Sequence, residues 1–441
     1  MRCALLLSLA VAHPSPPQDP HPEPSAAPDV LELQNGRWFD GRGFEARTLY
    51  SVGGLLVRER PAAVDRTLDL AGGFVVPPFA EAHNHNVHDG ADAALRKYLE
   101  QGVFYVKNPN SLPRTTTSIR TKVNRPDGID VLFAGGGLTA SGGHPVDLVR
   151  QNLGRGFWSE ADGDGGFLFA IDDAADLAQS WPAIRAQPRD FLKIYLLYSE
   201  EHAQRRADDA FLGWRGLDPG LLPEIVRRAH AEGWRVSAHV ETAADFHQAL
   251  AASVDEVNHL PGFRPLLAES GLAQLLGQLR EYEPSTYAIS EEDARTAGGR
   301  GTVVVTTLGG LLREVERIPF DDPRRAAADG AMELVLANLE RLRRHQVRIA
   351  LGSDEYDLDE GTVVDEFLAL HRLGAFAAAE LLRIWCEDTA RAIYPGRKIG
   401  KLEPGYETSF LVLGADPLED PMRVRDIRLR VKQGRVLEPG R

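Results

Sequence analysis

Two histidines separated by one residue, His83 and His85, give the sharpest local chemical signal in the chain. They follow an apolar run, residues 73–77, that has the composition of a β-strand. In an extended chain the side chains at i and i+2 project to the same side, so both imidazoles can reach one metal ion. A pair of this kind also arises by chance on a surface loop, because the chain contains 13 histidines. Further ligands are therefore needed to make a metal site.

Four further residues of ligand type lie at or near the ends of later predicted strands. They are Lys193, His239, His259 and Asp354. Each has an ordinary structural alternative: an interfacial lysine, two hydrogen-bonded core imidazoles and a helix N-cap. The carboxyl ends of barrel strands are the face on which active sites are built. Their common position therefore favours one shared site over several unrelated roles.

The middle of the chain alternates apolar strand-like stretches with helix-length segments. The predicted strands are residues 73–77, 103–107, 131–134, 191–197, 235–240, 254–259, 303–307 and 347–352. This alternation is typical of parallel βα units, and eight strands in this order predict a closed (β/α)8 barrel of the TIM type. Along the fifth strand Ser237 and His239 share one face, which points His239 inward. A helix is predicted over residues 362–373 by its apolar periodicity.

The two ends of the chain have a different pattern, with short β-rich runs broken by glycine. Residues 30–72 and 395–441 are therefore predicted to form a small β-sandwich built from both termini, beside a barrel over residues 73–394. The predicted fold class is α/β. Residues 1–12 have the charged start, short apolar run and Ala-x-Ala ending of a signal peptide, and residues 13–29 form a proline-rich tether. This predicts export to the periplasm or secretion; the alternative is an ordinary cytoplasmic N-terminus.

Composition limits the partners that the protein can have. The 50 basic and 64 acidic side chains give a net charge of −14, and no block of five Lys or Arg occurs. Such a chain lacks the phosphate-neutralising surface that nucleic acids require. No internal run approaches the eighteen or so apolar residues of a membrane span. The expected partner is a small-molecule substrate, and the sequence leaves open whether the protein forms a homo-oligomer.

Taken together, these segments resemble the amidohydrolase superfamily. The carrying motifs are residues 73–85, Asp190–Tyr195, Ser237–His239, Asn258–Leu260 and Leu351–Asp354. The lysine motif and Ser141–His144 are most similar to the branch of prolidase-like dipeptidases and carboxypeptidases, which is related to imidazolonepropionase. One departure is Glu81, where that family usually has aspartate before the His-x-His pair.

The resemblance implies a binuclear metal centre. Its ligands would be His83, His85, His239, His259, Asp354 and a carboxylated, bridging Lys193. Nitrogen and oxygen ligands suit zinc best, so two divalent ions, zinc by preference, are the expected cofactors.

The resemblance also implies roles in catalysis. A metal-bridging hydroxide would attack the substrate carbonyl, and Asp354 would transfer the proton to the leaving amine. His144 would donate to the carbonyl oxygen, with a loop histidine facing water as the alternative. Tyr195 shares strand parity with Lys193 and is a candidate second donor; the alternative is an aromatic that fills the barrel.

The sequence thus predicts a metal-dependent hydrolase of amide or peptide C–N bonds, acting on a dipeptide or an N-acyl amino acid. A cyclic amide, lactone or ester hydrolase using the same site is one alternative, because the same hydroxide attacks any polarised carbonyl. A secreted metal-binding protein without turnover is an alternative of another class.

Overall fold

The chain folds as a mixed α/β protein, seen in a computed structural model that describes residues 29–157, 159–262, 283–322, 324–356 and 361–437. The predicted signal peptide and nearly all of the predicted tether lie outside the described residues and stay predictions. Among the described helices, none is long and apolar enough to cross a bilayer.

The strands of the described residues form three sheets. They are β1 (Leu31–Phe39), β2 (Phe44–Val52), β3 (Leu55–Val57), β4 (Arg66–Asp69), β5 (Phe74–Val76), β6 (Phe79–Glu81), β7 (Val103–Asn108), β8 (Asp130–Phe133), β9 (Gly137–Thr139), β10 (Leu168–Ala170), β11 (Leu192–Tyr195), β12 (Val236–His239), β13 (Glu256–Asn258), β14 (Val303–Thr306), β15 (Arg348–Leu351), β16 (Phe410–Leu413), β17 (Ile427–Lys432) and β18 (Arg435–Val436).

Helices fill most of the connections between these strands. They are α1 (Asp92–Glu100), α2 (Val146–Gly154), α3 (Ala174–Ala186), α4 (His202–Arg206), α5 (Leu222–Ala231), α6 (Ala243–Ala251), α7 (Pro284–Tyr287), α8 (Glu291–Arg300), α9 (Leu308–Arg317), α10 (Arg325–Arg344), α11 (Val363–Arg372), α12 (Ala378–Arg383) and α13 (Thr389–Ile393). A π-helical turn, Ile384–Asp388, joins the last two helices. The predicted helix over residues 362–373 is confirmed as α11, which begins after a capping box formed by Thr362 and Asp365.

Both ends of the chain contribute to one mixed sheet, ordered β18-β17-β16-β5-β1-β2-β3, with β4 beside β1. Its centre is β5, where Val75 lies opposite Trp38 of β1 and Val412 of β16. The prediction that residues 73–77 form the first barrel strand is therefore wrong. The chain passes Pro77 and Pro78, which have no N–H to donate, and only then forms β6 in a different sheet. The strand that precedes the histidine pair is β6.

Two sheets of parallel strands occupy the middle of the chain, in the orders β6-β7-β8 and β10-β9-β11-β12-β13-β14-β15. The other seven predicted strands are confirmed in these sheets. Backbone hydrogen bonds link the two sheets at both sides. The N–H of Ala82 donates to the carbonyl of Leu351 (2.9 Å), and the N–H of Asp190 donates to the carbonyl of Phe133 (2.8 Å).

A buried network of charges joins the mixed sheet to the parallel strands. Lys432 of β17 donates to Oδ1 of Asp130 at the start of β8 (2.6 Å) and to two backbone carbonyls. Arg397 donates to the other oxygen of Asp130 (2.7 Å) and to both oxygens of Glu407 (3.0 and 2.9 Å). The Lys432 side chain has no exposed surface, so its charge depends on these partners.

Candidate active site

The His83–His85 pair lies just beyond β6, and both rings face the same carboxylate. His83 Nε2 is 3.0 Å and His85 Nε2 is 3.2 Å from Oδ1 of Asp354. The carboxylate comes from the segment after β15, where the N–H groups of Ser353 and Asp354 donate to the carbonyl of His83. The first and last parallel strands thus bring these three side chains together.

A third imidazole completes the cluster around Asp354. His259 Nδ1 lies 4.0 Å from Oδ2 of Asp354, and ligand atoms of His83, His259 and Asp354 all lie within 4.8 Å of one another, so these three side chains could hold a metal ion. His259 and Asp354 have φ angles of 73° and 58°, a left-handed conformation that is uncommon for residues other than glycine. Such backbone strain is typical of functional sites.

Glu81 ties the two ends of this cluster together. Its carboxylate accepts the N–H groups of Ser353 (2.8 Å) and His83 (3.4 Å), beneath the two loops that present His83 and Asp354. Burial raises the pKa of Glu81 to about 8. The residue noted above as a departure from the family motif therefore braces the site.

Electrostatics sets the protonation of the cluster. Burial lowers the pKa of His83 to about 3 and holds that of His259 well below its usual range. Burial alone would raise the pKa of Asp354, but the neighbouring imidazoles, His259 first, hold it well below its ordinary value. Asp354 is therefore an ionised carboxylate beside the neutral imidazoles of His83 and His259, and a neutral imidazole is the form of histidine that binds metals.

A second group of side chains continues from this cluster. The ring of His239, at the end of β12, has its centre 4.6 Å from that of His259 and 4.9 Å from that of His144. Tyr195, on β11, lies 5.4 Å from His144 and 5.8 Å from His239 between ring centres. The loop histidine and the strand tyrosine predicted from sequence thus lie together, next to the predicted ligands.

Lys193, two residues before Tyr195 on β11, is buried beneath these rings. Its ammonium lies 5.3 Å from the centre of the Tyr195 ring, and its Nζ donates to the side-chain oxygen of Asn258. Burial lowers the pKa of Lys193 to about 7, so a large fraction is the neutral amine near neutral pH. A neutral amine is the form of lysine that reacts with carbon dioxide.

Sequence reasoning missed two groups of residues here. Glu241 is buried, and its Oε2 lies 3.4 Å from Nε2 of His239. Glu256 and Asn258 are buried on β13 and connect Lys193 to Lys107 of β7. Each group repeats the i, i+2 spacing of the His83–His85 pair, so the signal was present in the sequence.

The chain resembles known proteins in its fold rather than in its sequence. No protein-family model and no curated protein matches the sequence. The structural neighbours are amidohydrolases, prolidases and Xaa-Pro dipeptidases, which confirms the predicted resemblance at the level of the fold.

Three structural neighbours show the kinds of hydrolase that share this fold. A Xaa-Pro dipeptidase with methionine bound in its active site is 17% identical, with a TM-score of 0.69 over 93% of this chain and 100% of that chain. A prolidase complexed with N-methylphosphonate-L-proline is 17% identical, with a TM-score of 0.67 over 93% and 99%. A molinate hydrolase is 15% identical, with a TM-score of 0.69 over 94% and 96%.

Proposed function

We propose that this protein is a metal-dependent hydrolase of amide C–N bonds, with dipeptides or N-acyl amino acids as its substrates. The observation that carries the proposal is the cluster of His83, His85 and His259 around the carboxylate of Asp354. The prolidase and dipeptidase names among the structural neighbours support the substrate class.

We further propose that the two parallel sheets close into one (β/α)8 barrel, beside a small β-domain formed by the mixed sheet. The backbone bonds from Ala82 to Leu351 and from Asp190 to Phe133 support this closure. In such a barrel the cluster lies at the carboxyl ends of the strands, the face on which barrel enzymes carry their active sites.

The donor set suits divalent metal ions. It consists of imidazoles and a carboxylate, a combination that favours zinc. In addition, Nδ1 of His83 is a buried polar atom without a hydrogen-bond partner among the described residues. In the proposal His83, His85 and Asp354 would hold one ion, His239 and His259 would hold a second, and a carboxylated Lys193 would be a further ligand of the same centre. Bound ions would supply Lewis-acid activation of water and of the substrate carbonyl.

The protein's own side chains account for the proton transfers. Asp354 accepts a proton from the attacking water and returns it to the amide nitrogen, so the C–N bond breaks to give a carboxylic acid and an amine. His144 and Tyr195 lie together next to His239. They could donate hydrogen bonds to the substrate carbonyl oxygen as it gains negative charge.

The proposal is tested on protein purified without chelator. We expect about two zinc ions per chain and release of free amino acid from dipeptides or N-acyl amino acids. Removal of the metal should abolish turnover, and added zinc should restore it. A chain that binds no metal would refute the proposal, and a chain that binds metal but hydrolyses nothing in the panel would favour the metal-binding alternative.

A second candidate function is hydrolysis of a cyclic amide, lactone or other ester at the same site. It is favoured by the molinate hydrolase among the neighbours, whose name gives molinate rather than a dipeptide as its substrate. Turnover confined to lactones or esters in the same panel would favour it over the peptidase function.

Glu241 provides a prediction about the second ion. A carboxylate can only accept hydrogen bonds, so Nε2 of His239 carries the hydrogen that faces Glu241. Nδ1 of His239 then keeps its lone pair for the metal. Glu241→Gln is expected to weaken binding of the second zinc ion by roughly 10- to 100-fold. Titration against a competing chelator measures this.

The matched control is Glu224→Gln, a half-exposed glutamate on α5 that forms ion pairs with Arg227 and Arg228. It should bind both zinc ions as the unmodified protein does. Equal second-ion affinity in the Glu241→Gln and Glu224→Gln proteins would show that Glu241 does not orient His239.

A further inference from the structure

A layer of buried polar side chains lies beneath the proposed metal centre. It is contributed by four strands, and no member is more than 3% exposed. Its members are Lys107, Lys193, Ser237, Glu256 and Asn258. Burying this many polar groups is costly unless each has partners, so the contacts within the layer must be specific.

Those contacts fix the orientation of the Asn258 amide. Glu256 Oε1 accepts from Nζ of Lys107 (2.7 Å) and from Nδ2 of Asn258 (3.0 Å). Because a carboxylate only accepts, the NH₂ group of Asn258 must face Glu256. The amide oxygen then faces the other way, where it accepts from Nζ of Lys193. The Ser237 hydroxyl lies within hydrogen-bond distance of this oxygen (2.8 Å) and of Glu256 Oε1 (2.9 Å).

The two lysines of the layer therefore have different environments. Nζ of Lys107 contacts the Glu256 carboxylate and lies 4.2 Å from the centre of the Phe191 ring, and both contacts stabilise an ammonium. Nζ of Lys193 contacts a neutral amide oxygen, which can accept a hydrogen bond from an ammonium, an amine or a carbamate N–H.

We propose that Asn258 is the positioning residue for carboxylation of Lys193, an inference that rests on the proposed function. The amine of Lys193 attacks the carbon of CO₂ and forms an N–C bond. One C=O electron pair moves to oxygen, and the nitrogen releases one proton to water. The carbamate nitrogen keeps one N–H, which donates to Asn258, so the new carboxylate points away from the polar layer and toward the histidines.

The same arrangement explains which lysine reacts. Glu256 Oε1 accepts from Nζ of Lys107 and from the NH₂ group of Asn258, so it holds Lys107 in an ion pair and turns the Asn258 oxygen toward Lys193. The ion pair between Lys107 and Glu256 thus acts through Asn258 to select Lys193.

The test measures the carbamate directly, by ¹³C NMR of protein incubated with zinc and ¹³C-bicarbonate. The wild-type protein should give one carbamate signal, and the Lys193→Ala protein should lack it. Asn258→Asp replaces the NH₂ group that faces Glu256 with an oxygen, so it removes the contact that orients this side chain toward Lys193 and should lower the signal roughly tenfold, the effect of about 1.4 kcal/mol. Glu224→Gln, the control on α5 used above, lies outside this layer and should keep the signal within about twofold.

A second variant guards against misfolding, because Asn258→Asp adds a buried charge. Asn258→Leu has a similar volume without charge or acceptor, and its carbamate signal should also fall roughly tenfold, as a lost hydrogen bond of about 1.5 kcal/mol implies. A wild-type signal in a folded Asn258→Leu protein would overturn the inference. The absence of a Lys193-dependent signal in the wild-type protein would also overturn the inference. The proposed function would still be tested separately, by metal binding and amide hydrolysis.

Discussion

Replacing Asp354 with asparagine is expected to lower kcat for the preferred amide substrate by roughly 10²- to 10⁴-fold, the usual contribution of a general acid–base group. Asparagine keeps the shape and one oxygen ligand but cannot take the proton of the attacking water. Because His83 and His85 remain beside that oxygen, we expect the variant to keep at least one zinc ion. Steady-state kinetics and metal analysis on the same sample test both statements.

The control for this variant is Asp329→Asn. Asp329 lies on α10 and pairs with Arg325, so its loss removes one carboxylate without touching the candidate site. It should leave kcat unchanged. An Asp354→Asn enzyme with kcat within tenfold of the unmodified protein would refute the assignment of Asp354 as the proton-transfer group.

The largest effect on stability is expected at Asp130, whose two oxygens bind Lys432 and Arg397. Asp130→Asn leaves the buried Lys432 ammonium without a counter-charge. Breaking a buried ion pair in this way costs about 3–5 kcal/mol, so the urea midpoint of unfolding should fall markedly. Circular dichroism across a urea series measures it.

Two further variants make this prediction specific. Asp127→Asn removes a well exposed carboxylate that pairs with Arg125 nearby, and it should shift stability by no more than about 0.5 kcal/mol. Lys432→Met combined with Asp130→Asn removes the uncompensated cation and should recover part of the loss. Similar midpoints for Asp130→Asn and Asp127→Asn would show that the network does not stabilise the fold.

Much of the fold could be predicted because buried parallel strands have a clear sequence pattern. The strands β14 and β15 are mostly apolar, and β11 and β12 alternate apolar residues with polar ones. The strand before the histidine pair could not be assigned correctly, because residues 73–80 carry no charged or hydrogen-bonding side chain and hydrophobicity alone does not divide β5 from β6. Only the two prolines at 77 and 78 mark the division.

The candidate site shows the same limit. His83, His85 and Asp354 could be recognised because metal-type side chains at strand ends are unusual. Glu241 and Glu256 share the i, i+2 spacing of the histidine pair with His239 and Asn258, but the contacts that Glu241 makes with His239 and Glu256 with Lys107 become visible only in the folded structure. The positive φ of His259 and Asp354 likewise depends on tertiary packing rather than on local preference.

The central position of β5 in the mixed sheet has a consequence for synthesis on the ribosome. Val75 pairs with Val412, so more than three hundred residues must be translated before this strand gains its second neighbour. Until then, β5 leaves an open apolar edge that can pair with another nascent chain. Because the C-terminal strands are synthesised last, the nascent chain exposes this strand edge until translation is nearly complete, and a chaperone that covers the edge would prevent aggregation.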